Sequence, residues 1–482
     1  MGIGGQGISA VAQMALMAGE QVTGCDQHAS ATVRALEQAG IAIEIGHSAD
    51  HLAGVDTLVI SPAITALNAQ NPELLTAQQR GMRVVTWQEI LSELMEGKCL
   101  LSVAGVHGKG TTTAMLSLML VDAGLDPTCE IGAIVPRFGA NYRLGKSQYF
   151  VNEADEFNHN FWHYHPRLAI VTSIEFEHPE FFADYEAFLH AFEHFIRGMD
   201  TQGTWPLPPT LVLNADSPGC LILRDRLRDW SGRVVTYALA GVSSPAEPAT
   251  VEAYAINLEG ETSFSVRMRE GMAFPEERTI HLRLPGAHNI QNALAALTAA
   301  SLLGVDGETI ATTLEGFTGI RRRFEIRHQG PLRLAGGVQN VLVIDDYAHH
   351  PTAIAATLEA TRRRYPGQRL VAVYQPHMYS RTKTFFEQFL QAFDAADLVI
   401  IADIFAARER DTGLIHARDL VEALARRSRF SAGNAEVLHG GSVVETEQLL
   451  ESVLHSGDIV VIMGAGDIYT VTEQLLRNTA QV

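Results

Sequence analysis

Apolar runs of strand length alternate, through most of the chain, with stretches whose apolar positions recur every third or fourth residue. The runs at residues 21–25, 57–61 and 83–86 predict strands, and the stretches that follow Gln6, Asn71 and Trp87 predict helices. A second series of runs falls at 100–105, 149–154, 168–174 and 210–214, and a third at 341–345, 370–375, 398–402 and 458–463. Strands separated by helices build parallel sheets through βαβ crossovers. Residues 250–284 break the rhythm: AYAINLEGETSFSVRM and RTIHLRLPG have no helix between them and predict short antiparallel strands. An amphipathic helix, QEILSELMEG, runs out at Gly97, and a polar HQGP stretch follows Arg327. Divisions at these places predict three α/β domains: 1–98, 99–326 and 327–482.

Composition agrees with that count, since 482 residues at roughly 150 per domain give about three. With 46% hydrophobic residues the chain can bury real cores. Asp and Glu number 55 against 36 Lys and Arg, a formal charge of −19, which argues against a basic track for nucleic acid. An anionic substrate must then be held by local features against the overall field. Cys25, Cys99, Cys129 and Cys220 are scattered without a CxxC pair, which predicts free thiols in a reducing cytoplasm. No apolar run approaches the roughly 18 residues of a membrane span, and no charged-then-apolar leader opens the chain, so no membrane insertion is expected.

The strongest chemical motif is Gly105-Val106-His107-Gly108-Lys109-Gly110-Thr111-Thr112-Thr113, which follows the apolar strand LLSVAG and opens a helix. Glycines let backbone amides converge on phosphate oxygens, a helix N-terminus adds positive potential, and Lys109 supplies a full charge. The alternative is a glycine-rich strand–helix turn without a ligand. The opening Gly2-Ile3-Gly4-Gly5-Gln6-Gly7 resembles a dinucleotide fingerprint, with Asp26 about 20 residues on as a ribose-binding acid. That fingerprint needs a preceding strand and only Met1 precedes it, which suggests a shortened start. His190-Ala191-Phe192-Glu193-His194 spells the inverted zinc-protease pattern. An amphipathic helix with His and Glu facing outward explains it better. Glu153 past one strand, and Glu175 and His178 past the next, suit a hard divalent ion such as Mg²⁺ beside the Lys109 loop. Polar clusters at Asp345–Pro351 and Gln375-Pro376-His377 end strands of the last third, and Arg321-Arg322-Arg323 lies at a presumed hinge.

Ten blocks occur in order along nearly the whole chain: GIGGQGIS, VAGVHGKGTTTAM, NEADE, VTSIEFEH, LPGAHNIQNALAA, GIRRRFE, DDYAHHPTAI, QPHMYSRT, AARERDTG and MGAGDIY. This series resembles the Mur ligase family, and within it the branch that adds L-alanine to UDP-N-acetylmuramate. The resemblance implies a Rossmann-like UDP-binding domain, a central P-loop ATPase-type α/β domain with the small antiparallel addition, and a C-terminal Rossmann-like domain for the amino acid. It also implies ATP and Mg²⁺, an acyl-phosphate intermediate, a cytoplasmic role in peptidoglycan precursor synthesis, and a monomer or homodimer.

By the same resemblance Gly105, His107, Gly108, Lys109, Gly110, Thr111, Thr112, Asn289, Asn292, Arg323 and Asp346 line the ATP site. Thr111, Glu153 and His178 hold the metal, and Gly4, Gly5, Gly7, Asp26 and Ser61 hold the UDP-sugar. His349, His377 and Arg381 form the amino-acid pocket, with Lys109, Arg323 and His349 catalytic and His349 the base. The chain departs from the family pattern at Gly110, Ser173, Glu177 and Met378. Two rival readings are a ligase that recycles a ready-made tripeptide onto the same sugar nucleotide, and a nucleotide-dependent switch without ligation.

Overall fold

The computed structural model describes residues 1–61, 70–240, 248–269, 274, 278–334 and 336–477, so part of the expected antiparallel segment lies outside the described residues. The first region holds two parallel pairs. β1 (Thr23–Asp26) lies beside β2 (Ala42–Ile45), and β3 (Thr57–Ile60) beside β4 (Arg83–Thr86). No strand precedes the helix Gln6–Ala18 among the described residues. Residues 1–3 lie between the two pairs: the Met1 amino group donates to the Val59 carbonyl at 2.8 Å, and the Gly2 and Ile3 amides donate to the Cys25 carbonyl.

The central sheet contains β5 (Cys99–Ala104), β6 (Thr128–Val135), β7 (Ala140–Arg143), β8 (Tyr149–Glu153), β9 (Leu168–Val171), β10 (Thr210–Asn214), β11 (Arg233–Leu239), β12 (Val251–Asn257), β13 (Thr262–Met268) and β14 (Thr279–Leu282). Their spatial order is β14-β13-β12-β11-β10-β9-β5-β8-β6-β7. Pairing is parallel from β12 to β6 and antiparallel at both margins. β5 is buried on both faces, and its side chains divide by the two-residue period of a strand. Leu101 and Val103 join the core under the helices Lys109–Asp122 and Ala287–Leu302, while Leu100 and Ala104 join the core under Tyr185–Arg197. The chain leaves β5 towards β6 and β8, then crosses to the opposite side as β9. The carboxyl ends of β5, β8 and β9 therefore open on one crevice, the place where open α/β sheets bind ligands.

The last region holds β15 (Glu325–Leu334), β16 (Gly337–Asp346), β17 (Leu370–Tyr374), β18 (Leu398–Ala402), β19 (Glu436–Gly441) and β20 (Ile459–Met463), ordered β15-β16-β20-β17-β18-β19. Only β15 is antiparallel to its neighbour. The HQGP stretch lies inside β15, so the polar linker expected there is a strand. Sequence periodicity also passed over β2, β6, β7, β11 and β19. The four cysteines are free and buried, and no described helix is long and apolar enough to cross a membrane.

Gly7 shows how tightly the first helix is seated: a Cβ there would come within 2.6 Å of the Trp87 ring. Gly7→Ala should lower the stability of the first unfolding transition by about 1–3 kcal/mol, the cost of overpacking, and Trp87→Leu should recover most of that loss. Urea denaturation of the single and double variants measures both; additive losses would contradict this packing.

Candidate active site

The turn after β5 is shaped by glycines that nothing else could replace. Gly105 sits at φ +123°, and a Cβ on it would press on the Thr172 hydroxyl and lie 2.8 Å from the Ser173 amide nitrogen. Gly108 sits at φ +81° with the Asn292 carboxamide in the place of a side chain. β9 braces the turn: the Val106 amide donates to the Ser173 carbonyl at 3.0 Å, the His107 amide to the Ser173 hydroxyl at 3.0 Å, and the Thr172 hydroxyl to the His107 carbonyl at 2.5 Å. The helix that starts at Lys109 has no side-chain cap, so its first-turn amides are available to an anion. The Thr112 hydroxyl donates to Asn292, and Asn292 donates to Asn289, whose own amide is anchored on the Pro285 carbonyl. Asn289 and Asn292 thus form a buried polar chain that ends on the turn.

Lys109 Nζ lies 2.8 Å from Glu156 Oε2, and both side chains are largely removed from water. Burial alone would lower the Lys109 pKa, but Glu156, Asp155 and Glu153 together raise it above its ordinary value and keep it charged. His178, held at φ +57°, points one ring nitrogen at Glu180 (3.2 Å) and the other at Glu156 (3.9 Å). The ligand atoms of Asp155, Glu156 and His178 all lie within 4.8 Å of one another. Glu153 instead accepts from the Gly132 amide at 2.9 Å and faces Gly110, so the structure brings Glu156 to His178 rather than Glu153. Glu156 stands three residues further along the same NEADE block, past the strand end, where sequence spacing gave no reason to prefer it. Several carboxylates facing a single lysine form a hard, net-negative oxygen set, and a divalent cation such as Mg²⁺ fits it. Thr111 is buried in the first turn of the adjoining helix.

The last region closes over this crevice. Arg381 and Glu177 form an ion pair at 2.7 Å across the seam, with side chains 3% and 5% exposed. Thr352 donates to Glu175 at 2.9 Å, Arg408 pairs with Glu180, and the His107 and His350 rings lie 5.1 Å apart. Burial alone would raise Glu175, but His107 and Thr352 hold it at about 2. His349 turns Nδ1 to the Tyr347 carbonyl at 3.0 Å, which fixes the proton there and leaves Nε2 as the acceptor. Burial and the Arg381 guanidinium hold its pKa well below the ordinary value, so the ring is neutral. His377 Nδ1 accepts from Arg381 at 3.1 Å, and the His349 and His377 rings are 6.0 Å apart. Arg323 lies over the Tyr347 ring, and both oxygens of Asp346 are taken by the Phe324 and Ala348 amides, which ties the chain entering β15 to the end of β16.

In the first region Asp26 accepts from the Gly4 amide at 2.8 Å and the His28 amide at 3.1 Å, so this acid shapes the glycine turn. Gly5 precedes the first helix, and Ser61 follows β3 at the edge of the described residues. The structure therefore gathers the Lys109 turn, Glu156, His178, His349, His377 and Arg381 about one crevice. His190 and His194 lie elsewhere on the exposed face of their helix, with Glu193 between them bonded to Arg197 at 2.9 Å.

His350 Nδ1 accepts from the Thr352 amide and caps the following helix, which it can do only while that nitrogen is unprotonated. Burial pushes His350 and His377 down to about 4. Between about pH 6.5 and 4 the unfolded chain binds these protons and the folded chain does not, so stability falls as pH falls through that window. Glu175 and Glu180, held at about 2, add stability that is lost only at lower pH, from their unfolded value near 4.3 downwards. Melting temperature should drop between about pH 6.5 and 4, and His350→Asn, which can still cap, should flatten the dependence; an unchanged profile in that variant contradicts the assignment.

Three family models match the chain: the catalytic domain of the Mur ligase family over residues 1–98, the Mur ligase middle domain over 103–300, and the Mur ligase glutamate ligase domain over 322–466. The chain is 38% identical to a UDP-N-acetylmuramate–L-alanine ligase of Acidovorax sp. (strain JS42), covering 97% of this chain and 93% of that one. It is 37% identical to the ligase of the same name from Acetivibrio thermocellus, covering 100% and 96%. Among solved structures it shares its fold with a UDP-N-acetylmuramate-alanine ligase from Thermotoga maritima, with TM-score 0.78, 24% identity and coverage of 100% and 98%. A murein peptide ligase from Psychrobacter arcticus gives TM-score 0.69 at 25% identity, again covering 100% and 98%. With such likeness along its full length, and with the glycine turn, the acidic crevice and the closing third region in place, the chain belongs to the Mur ligase family.

Proposed function

We propose that the chain is an ATP-dependent ligase that joins L-alanine to the carboxylate of UDP-N-acetylmuramate in peptidoglycan precursor synthesis, releasing ADP and phosphate. The observation that carries this reading is the seam itself: a phosphate-shaped turn with a buried lysine faces a neutral histidine and a buried arginine contributed by the last region. The relatives named for this reaction match over nearly their whole length.

A carboxylate is a poor acyl donor, because its oxide is a bad leaving group and its charge repels nucleophiles. Phosphorylation by ATP converts it to an acyl phosphate and divides one hard step into two easier ones. In this reading the amides of the Gly105–Thr111 turn cradle the phosphates, and Lys109 and Arg323 neutralise charge on the transferring group. Mg²⁺, when bound by Glu156 and His178 with Thr111 and Glu153 beside them, supplies further neutralisation of that charge. Asn289 and Asn292 hold the nucleotide side of the turn, and Asp346 fixes the chain that carries Arg323. His349 Nε2 accepts the proton of the attacking amine, while Arg381 and His377 hold the amino-acid carboxylate. Gly4, Gly5, Gly7, Asp26 and Ser61 form the sugar-nucleotide side, on the first of the domains divided near residues 98 and 326. The seam excludes water, which would otherwise hydrolyse the acyl phosphate. We assign the reaction to the cytoplasm.

Lys109→Ala should lower kcat by ~10²–10³-fold while UDP-sugar binding persists; near wild-type phosphate release would overturn the reading. Amino-acid-dependent release of phosphate from ATP, with UDP-N-acetylmuramate present, should require Mg²⁺ and respond to L-alanine. A response only to the tripeptide L-alanyl-γ-D-glutamyl-meso-diaminopimelate would select the recycling ligase, and release indifferent to any acceptor would select a switch.

A further inference from the structure

Three groups of His, Cys and acidic side chains among the described residues bring ligand atoms within 4.8 Å of one another. Two of them, Asp155–Glu156–His178 and His107–Glu175–His350, line the crevice already described. The third, Cys25, His47 and Glu73, lies in the first region and has no part in the proposed reaction. Cys25 is the penultimate residue of β1, His47 follows β2, and Glu73 lies in the first turn of the helix Pro72–Gln79.

The three ligand atoms form a nearly regular triangle. Cys25 Sγ lies 3.0 Å from Glu73 Oε2 and 3.5 Å from His47 Nδ1, and His47 Nδ1 lies 3.4 Å from Glu73 Oε2. Tetrahedral zinc, with Zn–S near 2.3 Å and Zn–N and Zn–O near 2.0–2.1 Å, sets its ligands about 3.3–3.6 Å apart. Two edges already match. The short edge is the hydrogen bond from the thiol to the carboxylate, which a metal would replace and open by about half an ångström. The other Glu73 oxygen is 2.7 Å from His51 Nδ1 and accepts from the Ser48 amide at 3.2 Å, so the carboxylate is oriented from behind. Cys25 and Glu73 are 4% and 1% exposed.

We propose that Cys25, His47 and Glu73 form a site for a borderline-soft divalent cation of the zinc class, with His51 orienting Glu73 and the fourth position left to a small ligand. A thiolate selects such a cation over Mg²⁺. Charge balances: one thiolate and one carboxylate offset a dication, and the thiol proton now shared with Glu73 leaves to solvent as the metal–sulfur bond forms. The bound ion ties the end of β1 to the loop after β2 and to the next helix, and Asp26, the following residue, holds the Gly4 amide. The site thus fastens the base of the first glycine turn.

The test is a titration of the chelator-stripped, folded full-length protein with Co²⁺, followed by Zn²⁺. The expected result is one Co²⁺ per chain with an intense sulfur-to-cobalt charge-transfer band, displaced by Zn²⁺, lost in Cys25→Ser and weakened in His47→Gln. His51→Ala should keep the band and weaken binding roughly 10–100-fold. A folded wild-type protein without the band, or a band of full strength in Cys25→Ser, overturns the proposal and leaves a closed hydrogen-bond network. If Cys25→Ser fails to fold, Glu73→Gln and His47→Gln serve in its place, and an undiminished band in both is equally fatal.

Discussion

A lysine ammonium with little access to water, set against a carboxylate with almost none, is the interaction around which the central region is organised. Each charge alone would be prohibitive at that depth, and together they are tolerable only because their geometry is good. The pair is held from three directions: the glycine turn fixes the start of the lysine helix, β8 delivers the acid, and β9 delivers His178 and the braces for the turn. The fold makes this possible by reversing its strand order at β5, so that three strand ends converge on one crevice. The surplus of acid around the lysine makes the crevice incomplete without further positive charge, and the phosphate-shaped turn needs negative charge. In the proposed reading, a metal–triphosphate complex supplies both at once.

Much of the architecture was legible because the buried strands of the parallel sheets are continuous apolar runs, as at Leu168–Val171 and Ile459–Met463. Four of the strands that periodicity passed over fail that pattern for physical reasons. Ala42–Ile45 and Glu436–Gly441 are edge strands with mostly exposed or half-exposed side chains, and Ala140–Arg143 is half-exposed throughout. Glu325–Leu334, which contains glycine and proline, sits at a sheet margin, where proline is tolerated. The glycine turn was readable for the opposite reason: Gly105 and Gly108 have backbone conformations and neighbours that exclude a side chain. Glu156 was not readable, because its place beside Lys109 and His178 depends on where the chain turns after β8 and not on any spacing along it. The outward-facing histidines of YEAFLHAFEHFI illustrate the reverse error that a motif invites, and helical amphipathicity was the better guide.

The seam between the central and last regions is polar, with one deeply buried ion pair at its centre. Glu177 and Arg381 are far apart in sequence and meet with nearly full burial, and His377 and His349 remain neutral beside that guanidinium. Removing either ionic partner would strand a charge, so the pair acts as a register mark that admits one way of closing. The same arginine is the group proposed to receive an amino-acid carboxylate, and Glu177 stands where that negative charge is needed.

Because β15 is laced antiparallel along β16, the chain joins the last sheet before that sheet's first parallel strand begins. The link between the two larger bodies is consequently no loose tether. Any swing of one against the other is confined to the short passage ahead of Glu325, where Gly319, Arg322 and Phe324 already adopt left-handed backbone angles. Arg322 is clasped there between the Tyr347 and Tyr469 rings and donates to the Gly464 carbonyl, which fastens the passage, and the arginines it carries, to the last sheet.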